Sequence, residues 1–148
     1  MNTEKVNNLV ELFFENYQKQ NKSNKLLISL KDQNNQFTWE ETFHSIKKVS
    51  SEIKKYINKG DRCLLISENR PEWFIADLSI MLSAGITVPA YTTYAERDYE
   101  YIINDCTPKL IFVSNQEQFN KVKNIIIKNK FIEKIFSFEE LDIDKNKY

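Results

Sequence analysis

Short apolar runs alternate with helical patterns along most of this chain, and this alternation limits its fold most strongly. Unbroken apolar stretches occur at residues 63–66 and 110–113. Such stretches are typical of parallel strands, because helices cover both faces of a parallel sheet. Strands that alternate with helices at this spacing imply right-handed βαβ crossovers. The sequence therefore predicts an α/β fold with a mostly parallel sheet.

The four predicted parallel strands and the three helices between them have clear boundaries in the sequence. We expect strands at residues 62–67, 86–91, 110–113 and 134–138. Pro71 suits the first turn of a helix over 71–84, where its missing N–H costs nothing, and Gly85 is expected to stop that helix. Capping boxes beginning at Thr93 and Ser114 are predicted to open the next two helices.

The first 60 residues carry a different pattern. An apolar stripe at helical spacing predicts an amphipathic helix formed around Val6, Leu9, Val10, Phe13, Phe14 and Tyr17. An Asn- and Asp-rich turn between residues 26–30 and 36–38 predicts a β-hairpin. A capping box at Thr38 then opens a second helix, which Gly60 is expected to end in a left-handed conformation. We assign residues 1–141 to one domain and residues 142–148 to a polar tail.

Composition excludes several classes of function. The chain of 148 residues has only two glycines, Gly60 and Gly85, so it lacks the glycine-rich loop that cradles phosphates. His44 is the only histidine, and it lies beside the apolar stripe, where we expect it on the surface. A multi-histidine metal site is thus excluded. The formal net charge is zero, which gives no electrostatic footprint for nucleic acid.

Cysteine usage and hydropathy point to the cytoplasm. Cys63 and Cys106 are far apart in apolar surroundings, and we interpret them as buried thiols, with a disulfide as the weaker alternative. The N-terminus shows no signal peptide, and the apolar stretch over 73–90 is interrupted by Asp77, Gly85 and Pro89. We therefore expect no transmembrane segment.

Ligands of open parallel sheets bind beyond the carboxyl ends of the strands. This rule directs attention to the loops at residues 67–70 and 92–95. Arg70 there is either an anion ligand at a helix N-terminus or part of a turn that caps the helix. Asp77 is either a perturbed acid or a carboxylate at a polar rim, and Trp39 and Trp73 are interpreted as core aromatics. Spacing alone assigns no catalytic, cofactor-binding or metal-binding residue.

A longer run of motifs resembles the AMP-forming acyl-CoA synthetases. Residues 60–73, GDRCLLISENRPEW, resemble the family's GDRV…NRPEW stretch, and residues 85–93, GITVPAYTT, are similar to its next conserved stretch. Residues 37–39 and 101–113 match the family's entry to the second helix and its following helix and strand. The order agrees over residues 6–141, and the VPAYTT form is most similar to the long-chain fatty acid branch.

The resemblance implies an N-terminal segment of the adenylate-forming fold. It also implies, for an intact relative, a ligase that uses ATP, Mg²⁺ and CoA to convert a fatty acid to its acyl-CoA through an acyl-adenylate. The family's ATP loop, its acidic metal and ribose motif and its C-terminal lysine have no counterpart in this chain. No catalytic residue of the family is therefore carried onto any position here.

Three hypotheses follow from these observations. The chain is the N-terminal part of a long-chain fatty-acid–CoA ligase, inactive alone, whose partner is the remainder of the synthetase or a second copy. Alternatively, it is a free-standing interaction module on the same scaffold. The third hypothesis is an unrelated α/β binding domain, and the series of motifs that resemble the synthetase family argues against it.

Overall fold

A computed structural model describes residues 7–143 of the chain. It contains two sheets. A two-stranded antiparallel hairpin precedes a four-stranded parallel sheet. The prediction of an α/β fold with a mostly parallel sheet is therefore confirmed.

The N-terminal part begins with helix α1 (Leu9–Lys19), whose start is capped by the Asn8 side chain. Val6, which we expected on its apolar stripe, lies outside the described residues. Strands β1 (Lys25–Ile28) and β2 (Gln36–Thr38) form the predicted hairpin. Helix α2 (Trp39–Ile53) follows with the predicted capping box, in which the Glu41 amide donates to the Thr38 hydroxyl and the Thr38 amide donates to the Glu41 carboxylate.

The parallel part repeats a strand–helix unit. Its elements are β3 (Arg62–Ile66), α3 (Pro71–Leu82), β4 (Ile86–Ala90), α4 (Glu96–Cys106), β5 (Leu110–Val113), α5 (Gln116–Lys128) and β6 (Lys134–Ser137). The central strand β3 pairs in parallel with β4 on one side and β5 on the other. Strand β6 pairs with β5. The two central strands are buried almost completely, as unbroken apolar strands between helix layers should be.

Three apolar clusters hold the layers together. Helices α4 and α5 cover one face of the sheet through Tyr99, Ile103, Phe119 and Val122. On the other face, α3 and the segment after α2 pack against Cys63, Leu65 and Phe112. A third cluster joins α1, the hairpin, α2 and α3 around Phe13 and Ile46.

Serine hydroxyls line the contact between α2 and α3. The hydroxyls of Ser50 and Ser83 lie 2.9 Å apart, and Ser83 Oγ is 3.1 Å from the Ser50 carbonyl. Ser79 Oγ lies 3.2 Å from the carbonyl oxygen of Ile46. All three serines are buried, so these small side chains let the helices approach closely while their hydroxyl groups stay hydrogen-bonded.

Both glycines occupy positions that differ from the predictions. Helix α2 ends at Ile53, because its last turn tightens into i→i+3 bonds, such as that from Tyr56 N to Ile53 O. Gly60 does have a left-handed φ of 87°, but in the turn before β3. At the end of α3 the left-handed residue is Ala84, with φ 61°, not Gly85. A Cβ on Gly85 would lie 2.8 Å from Ile57 Cδ1, so this glycine serves close packing.

Two of the predicted capping boxes are also misplaced. Thr93 lies in a turn two residues before the cap, Ala95, whose amide donates to the Asp98 carboxylate at 3.0 Å. The amide of Ser114 donates to Ile66 O and so continues the pairing of β5 with β3 by one residue. The helix cap of α5 is therefore the next residue, Asn115.

The assigned polar tail begins in contact with the domain. The amide of Asp142 donates to Gln116 Oε1 at 2.9 Å, and Ile143 packs against the cluster beneath α5. Residues 144–148 of that tail lie outside the described residues.

Candidate functional site

A cleft of about 420 Å³ lies at the carboxyl ends of β3 and β4. This is the edge at which open parallel sheets bind ligands, and the cleft includes parts of both loops that the sequence singles out. The cleft is lined by the aromatic rings of two residues, by a proline and an alanine, and by the polar side chains of a carboxylate, an amide and two aliphatic hydroxyls. These residues are Trp73, Tyr91, Pro89, Ala90, Glu68, Asn69, Ser67 and Thr92. Its surface combines apolar area with a few polar groups, as is typical of small-molecule sites.

Hydrogen bonds from α4 and α5 fix the loop after β4, which carries part of the cleft wall. The Tyr99 hydroxyl donates to the carbonyl of Tyr91 at 2.7 Å, and the Lys121 ammonium donates to the carbonyl of Thr92, also at 2.7 Å. Tyr99 is completely buried, and this burial raises the pKa of its phenol to about 12. The phenol therefore stays a hydrogen-bond donor at neutral pH and fixes the loop after β4.

Trp73 belongs to the first turns of α3, where it is half-buried, packs against the cluster on that face of the sheet and lines the cleft. Trp39 instead belongs to the third cluster, where it stacks on Phe13 with ring centroids 5.8 Å apart, and it does not line the cleft. The interpretation of both tryptophans as core aromatics is confirmed, and Trp73 has a second role as part of the cleft wall.

Arg70 is paired with carboxylates and is not an anion ligand. Its guanidinium donates to Glu72 at 2.9 Å and to Glu139 at 2.7 Å, and Glu68 lies 3.8 Å away. It also lies over the Phe138 ring. Arg70 occupies the N-cap position of α3 without a side-chain cap bond, so the turn interpretation holds in part. The arginine joins the loop after β3 to the segment after β6.

Glu68 is the charged side chain that lines the cleft. Burial works to raise the pKa of its carboxyl, but the Ser114 hydroxyl, a backbone hydrogen bond and the Arg70 charge outweigh burial and lower the pKa. Glu68 is therefore ionised at neutral pH. A negative cleft repels phosphate groups unless a cation intervenes.

The remaining candidate residues lie away from the cleft wall. Asp77 is half-buried, and its burial raises the pKa of the carboxyl, which the Thr87 hydroxyl partly offsets. His44 is exposed on α2, as predicted. Cys63 is buried and Cys106 half-buried; both are free thiols, and burial raises the pKa of Cys63 to about 12.

The chemistry of the donor set does not fit a nucleotide and its metal. Within residues 7–143, no cluster of three or more His, Cys, Asp or Glu side chains could hold a metal ion. The cleft presents an ionised Glu68, and the nearby Arg70 is taken up by carboxylates. Over the same range, no helix is both long and apolar enough to cross a bilayer.

The chain is similar in sequence to a family of larger enzymes. The family model described as AMP-binding enzyme matches residues 14–147. The long-chain-fatty-acid–CoA ligase ACSBG1 of Rattus norvegicus is 25% identical over 116 residues, which cover 78% of this chain and 16% of that protein. Fatty acyl-CoA synthetase A of Dictyostelium discoideum is 36% identical over 55 residues, covering 37% of the chain and 8% of the relative.

Solved structures show the same fold. The anthranilate CoA ligase AuaEII superposes with a TM-score of 0.78 at 20% identity, covering 86% of this chain and 24% of that one. A luciferase-like enzyme from the mealworm Zophobas morio superposes with a TM-score of 0.77 at 20% identity, covering 95% of this chain and 32% of the other. The chain thus spans a small share of the length of each of these proteins.

Proposed function

Because this chain belongs to the AMP-binding enzyme family, we propose that it supplies the first part of the N-terminal domain of an ATP-dependent long-chain fatty-acid–CoA ligase. The observation that carries this proposal is the family match over residues 14–147, together with relatives named as long-chain-fatty-acid–CoA ligases. In the proposed overall reaction, the whole enzyme converts a fatty acid, ATP and CoA to acyl-CoA, AMP and pyrophosphate.

In this proposal the chain contributes structure and a cleft wall, and the groups that hold ATP and Mg²⁺ come from the rest of the enzyme. The donor set described above supports this division, because an ionised Glu68 and a paired Arg70 cannot neutralise a triphosphate. The chain's own contribution is to present Trp73, Pro89 and Tyr91 at a fixed position at the carboxyl edge of the sheet. Tyr99 holds that wall through the Tyr91 carbonyl.

A chimera tests the proposal. In it, the 116 residues of this chain that match rat ACSBG1 replace the corresponding segment of that protein, and the readout is fatty-acid-dependent exchange of pyrophosphate into ATP. We expect exchange by the chimera and none above the buffer blank by the isolated chain. A folded chimera without exchange would contradict the proposal, and so would exchange by the isolated chain.

The wall has its own test within the chimera. Tyr99→Phe removes one hydrogen bond to the Tyr91 carbonyl and leaves the ring in the core. We expect exchange to fall by about threefold to tenfold, the range for one lost hydrogen bond. Tyr101→Phe is the matched control, because Tyr101 is exposed on the same helix, and it should leave exchange unchanged.

A further inference from the structure

A second hollow of the molecule lies between α1 and α2, and we term it the α1–α2 groove. Its volume is about 530 Å³, which is within the range of small-molecule sites. Residues of both helices and of the end of α3 line it: Phe14, Tyr17, Gln18, Phe43, Lys47, Ser50, Ser51, Lys54 and Leu82. None of these residues lines the cleft at β3 and β4, so the two sites are separate.

One face of α2 forms the length of the α1–α2 groove. The lining residues at positions 43, 47, 50, 51 and 54 follow the i, i+4, i+7, i+8, i+11 spacing of a single helix face. A helix rises about 16 Å between Phe43 and Lys54. The groove is therefore elongated, and its length suits an extended chain better than a compact ring.

The end of the groove near the start of α2 is aromatic. The rings of Tyr17 and Phe43 stack with their centroids 4.1 Å apart, and Phe14 meets Phe43 edge-on at 5.5 Å. Leu82 adds aliphatic surface. These four side chains are only half-buried, so a ligand that covers their open side removes apolar surface from water, which is favourable.

The charged groups that line the groove are two cations. Lys47 and Lys54 are exposed and lie two helical turns apart on the same face of α2. Among residues 7–143, neither ammonium is paired with a carboxylate, and that of Lys47 lies 5.3 Å from the centroid of the Phe43 ring. The neighbouring Lys55, by contrast, is paired with Glu52. The groove thus offers two free positive charges and no negative one.

A third cation lies behind the aromatic end of the groove. The Lys22 ammonium is 3.7 Å from the centroid of the Tyr17 ring. Because Phe43 covers one face of that ring, Lys22 must lie on the other. Solvent does not reach this ammonium, and within the described part of the chain it has no hydrogen-bond acceptor. Screening is weak at such a position, so an anion in the groove would be attracted to Lys22 as well.

We propose that the α1–α2 groove binds one monomeric long-chain carboxylate. The carboxylate lies between the ammonium groups of Lys47 and Lys54, and the hydrocarbon chain covers the rings of Phe14, Tyr17 and Phe43. The free cations select an anion, and the aromatic floor selects an apolar chain. The concave shape favours a single molecule over a bilayer, because a membrane surface takes up a protruding apolar face. This site is additional to the cleft and does not depend on the proposed function.

Equilibrium dialysis of dodecanoate against the dilute chain, below the micelle concentration, tests the proposal. We expect one molecule bound per chain, more tightly than dodecanol or dodecyltrimethylammonium. Decanoate, which is two methylenes shorter, should bind about threefold to tenfold more weakly. No binding, equal binding of the cationic analogue, or many molecules per chain would overturn the proposal. Binding to phosphatidylglycerol vesicles without binding of monomeric dodecanoate would also overturn it, since the partner would then be a membrane surface.

Two double variants test the position of the carboxylate. Lys47→Gln combined with Lys54→Gln should raise the Kd for dodecanoate by about threefold to tenfold. Lys48→Gln combined with Lys59→Gln removes the same charge at exposed positions outside the groove, and it should leave the Kd unchanged. Equal effects of the two double variants would show that only net charge attracts the ligand, which would contradict the proposal.

A pair of variants at Ser51 tests the position of the hydrocarbon chain. Ser51 is exposed and lines the groove, so Ser51→Trp fills the space of the chain, whereas Ser51→Ala leaves that space open. Both variants keep the two lysines. We expect Ser51→Trp to raise the Kd at least about tenfold and Ser51→Ala to change it by less than about twofold, with unchanged circular dichroism. Equal affinity of the two variants would overturn the proposal, whatever the lysine variants show.

Discussion

Gly85 offers the sharpest test of how the α3–β4 connection is packed. Its φ is not left-handed, so an alanine there meets no backbone restriction. The obstacle is space: a Cβ would lie 2.8 Å from Ile57 Cδ1, 3.1 Å from Ile80 Cγ2 and 3.3 Å from Ile80 O. Ile57 and Ile80 are both buried, so a shift of either side chain displaces other core atoms, and Ile80 O belongs to the backbone.

The expected magnitude follows from two opposing effects. Overpacking a core position typically costs about 1–3 kcal/mol. Replacing glycine by alanine also lowers the entropy of the unfolded chain, which stabilises the fold by about 0.4–1 kcal/mol. The steric cost is the larger of the two effects, so we expect Gly85→Ala to lower the free energy of unfolding by about 1–2 kcal/mol. For a chain of this size, that corresponds to a melting temperature lower by about 2–8 °C.

The assay is urea unfolding of the dilute chain, with Ile57→Val as a second change. Valine lacks Cδ1, so it removes the closest contact at a cost of its own of about 0.5–1.5 kcal/mol. We expect the double variant to be more stable than the sum of the two single effects predicts. Gly60→Ala is the control: its Cβ would meet nothing within 4 Å, but its φ is 87°. Its cost comes from backbone strain, so Ile57→Val should not relieve it.

Two results would refute this reasoning. One is a Gly85→Ala protein as stable as the wild type. The other is strict additivity of Gly85→Ala and Ile57→Val, which would show that the two positions do not compete for space.

Three further predictions concern the core thiol, the arginine network and assembly. Cys63→Ser should lower the free energy of unfolding by about 1–3 kcal/mol by burying a hydroxyl without a partner, and rapid thiol labelling of native Cys63 would contradict its burial. Burial works to raise the pKa of Glu72, but hydrogen bonds from Arg70 and Asn35 outweigh burial and lower the pKa. The stabilisation of the fold by ionised Glu72 is therefore complete above the pKa of the unfolded chain, about 4.3, and is lost as the pH falls through the lower pKa of the folded chain. Arg70→Met should flatten that acid dependence in pH-resolved unfolding, and an unchanged profile would count against the network. The isolated chain, with an open β6 edge and zero net charge, should self-associate in light scattering, whereas a monodisperse monomer at high concentration would argue against this.

The strands were predictable because their signal is local and strong. A parallel strand covered on both faces must be apolar throughout, and residues 110–113 have that form. Cap positions were less predictable, because several hydroxyl and amide residues stand together before each helix. The choice of Asn115 over Ser114 depends on Ser114 still bonding to β3, which is a contact between distant parts of the chain.

The location of the cleft followed from strand order, but its chemistry did not. Arg70 was open to two interpretations because its main distant partner, Glu139, lies 69 positions later. The bond from Tyr99 to the Tyr91 carbonyl was missed, since tyrosine on an apolar stripe gives no sign of where its hydroxyl points. The one sequence signal is its position: Tyr99 lies nine residues after the end of β4, in the first turn of the helix that follows.

The buried serines between α2 and α3 also determine how motion passes through the domain. Apolar side chains alone would let two helices slide along each other, whereas the hydroxyl contacts of Ser79 and Ser83 are directional and fix their axial position. Helix α2 is in turn joined to the hairpin by its cap at Thr38. We therefore expect a displacement of α3, which contributes Trp73 to the cleft, to move α2 and the hairpin with it. On this expectation, a ligand that shifts Trp73 would also change the position of the hairpin, some 35 residues earlier in the sequence.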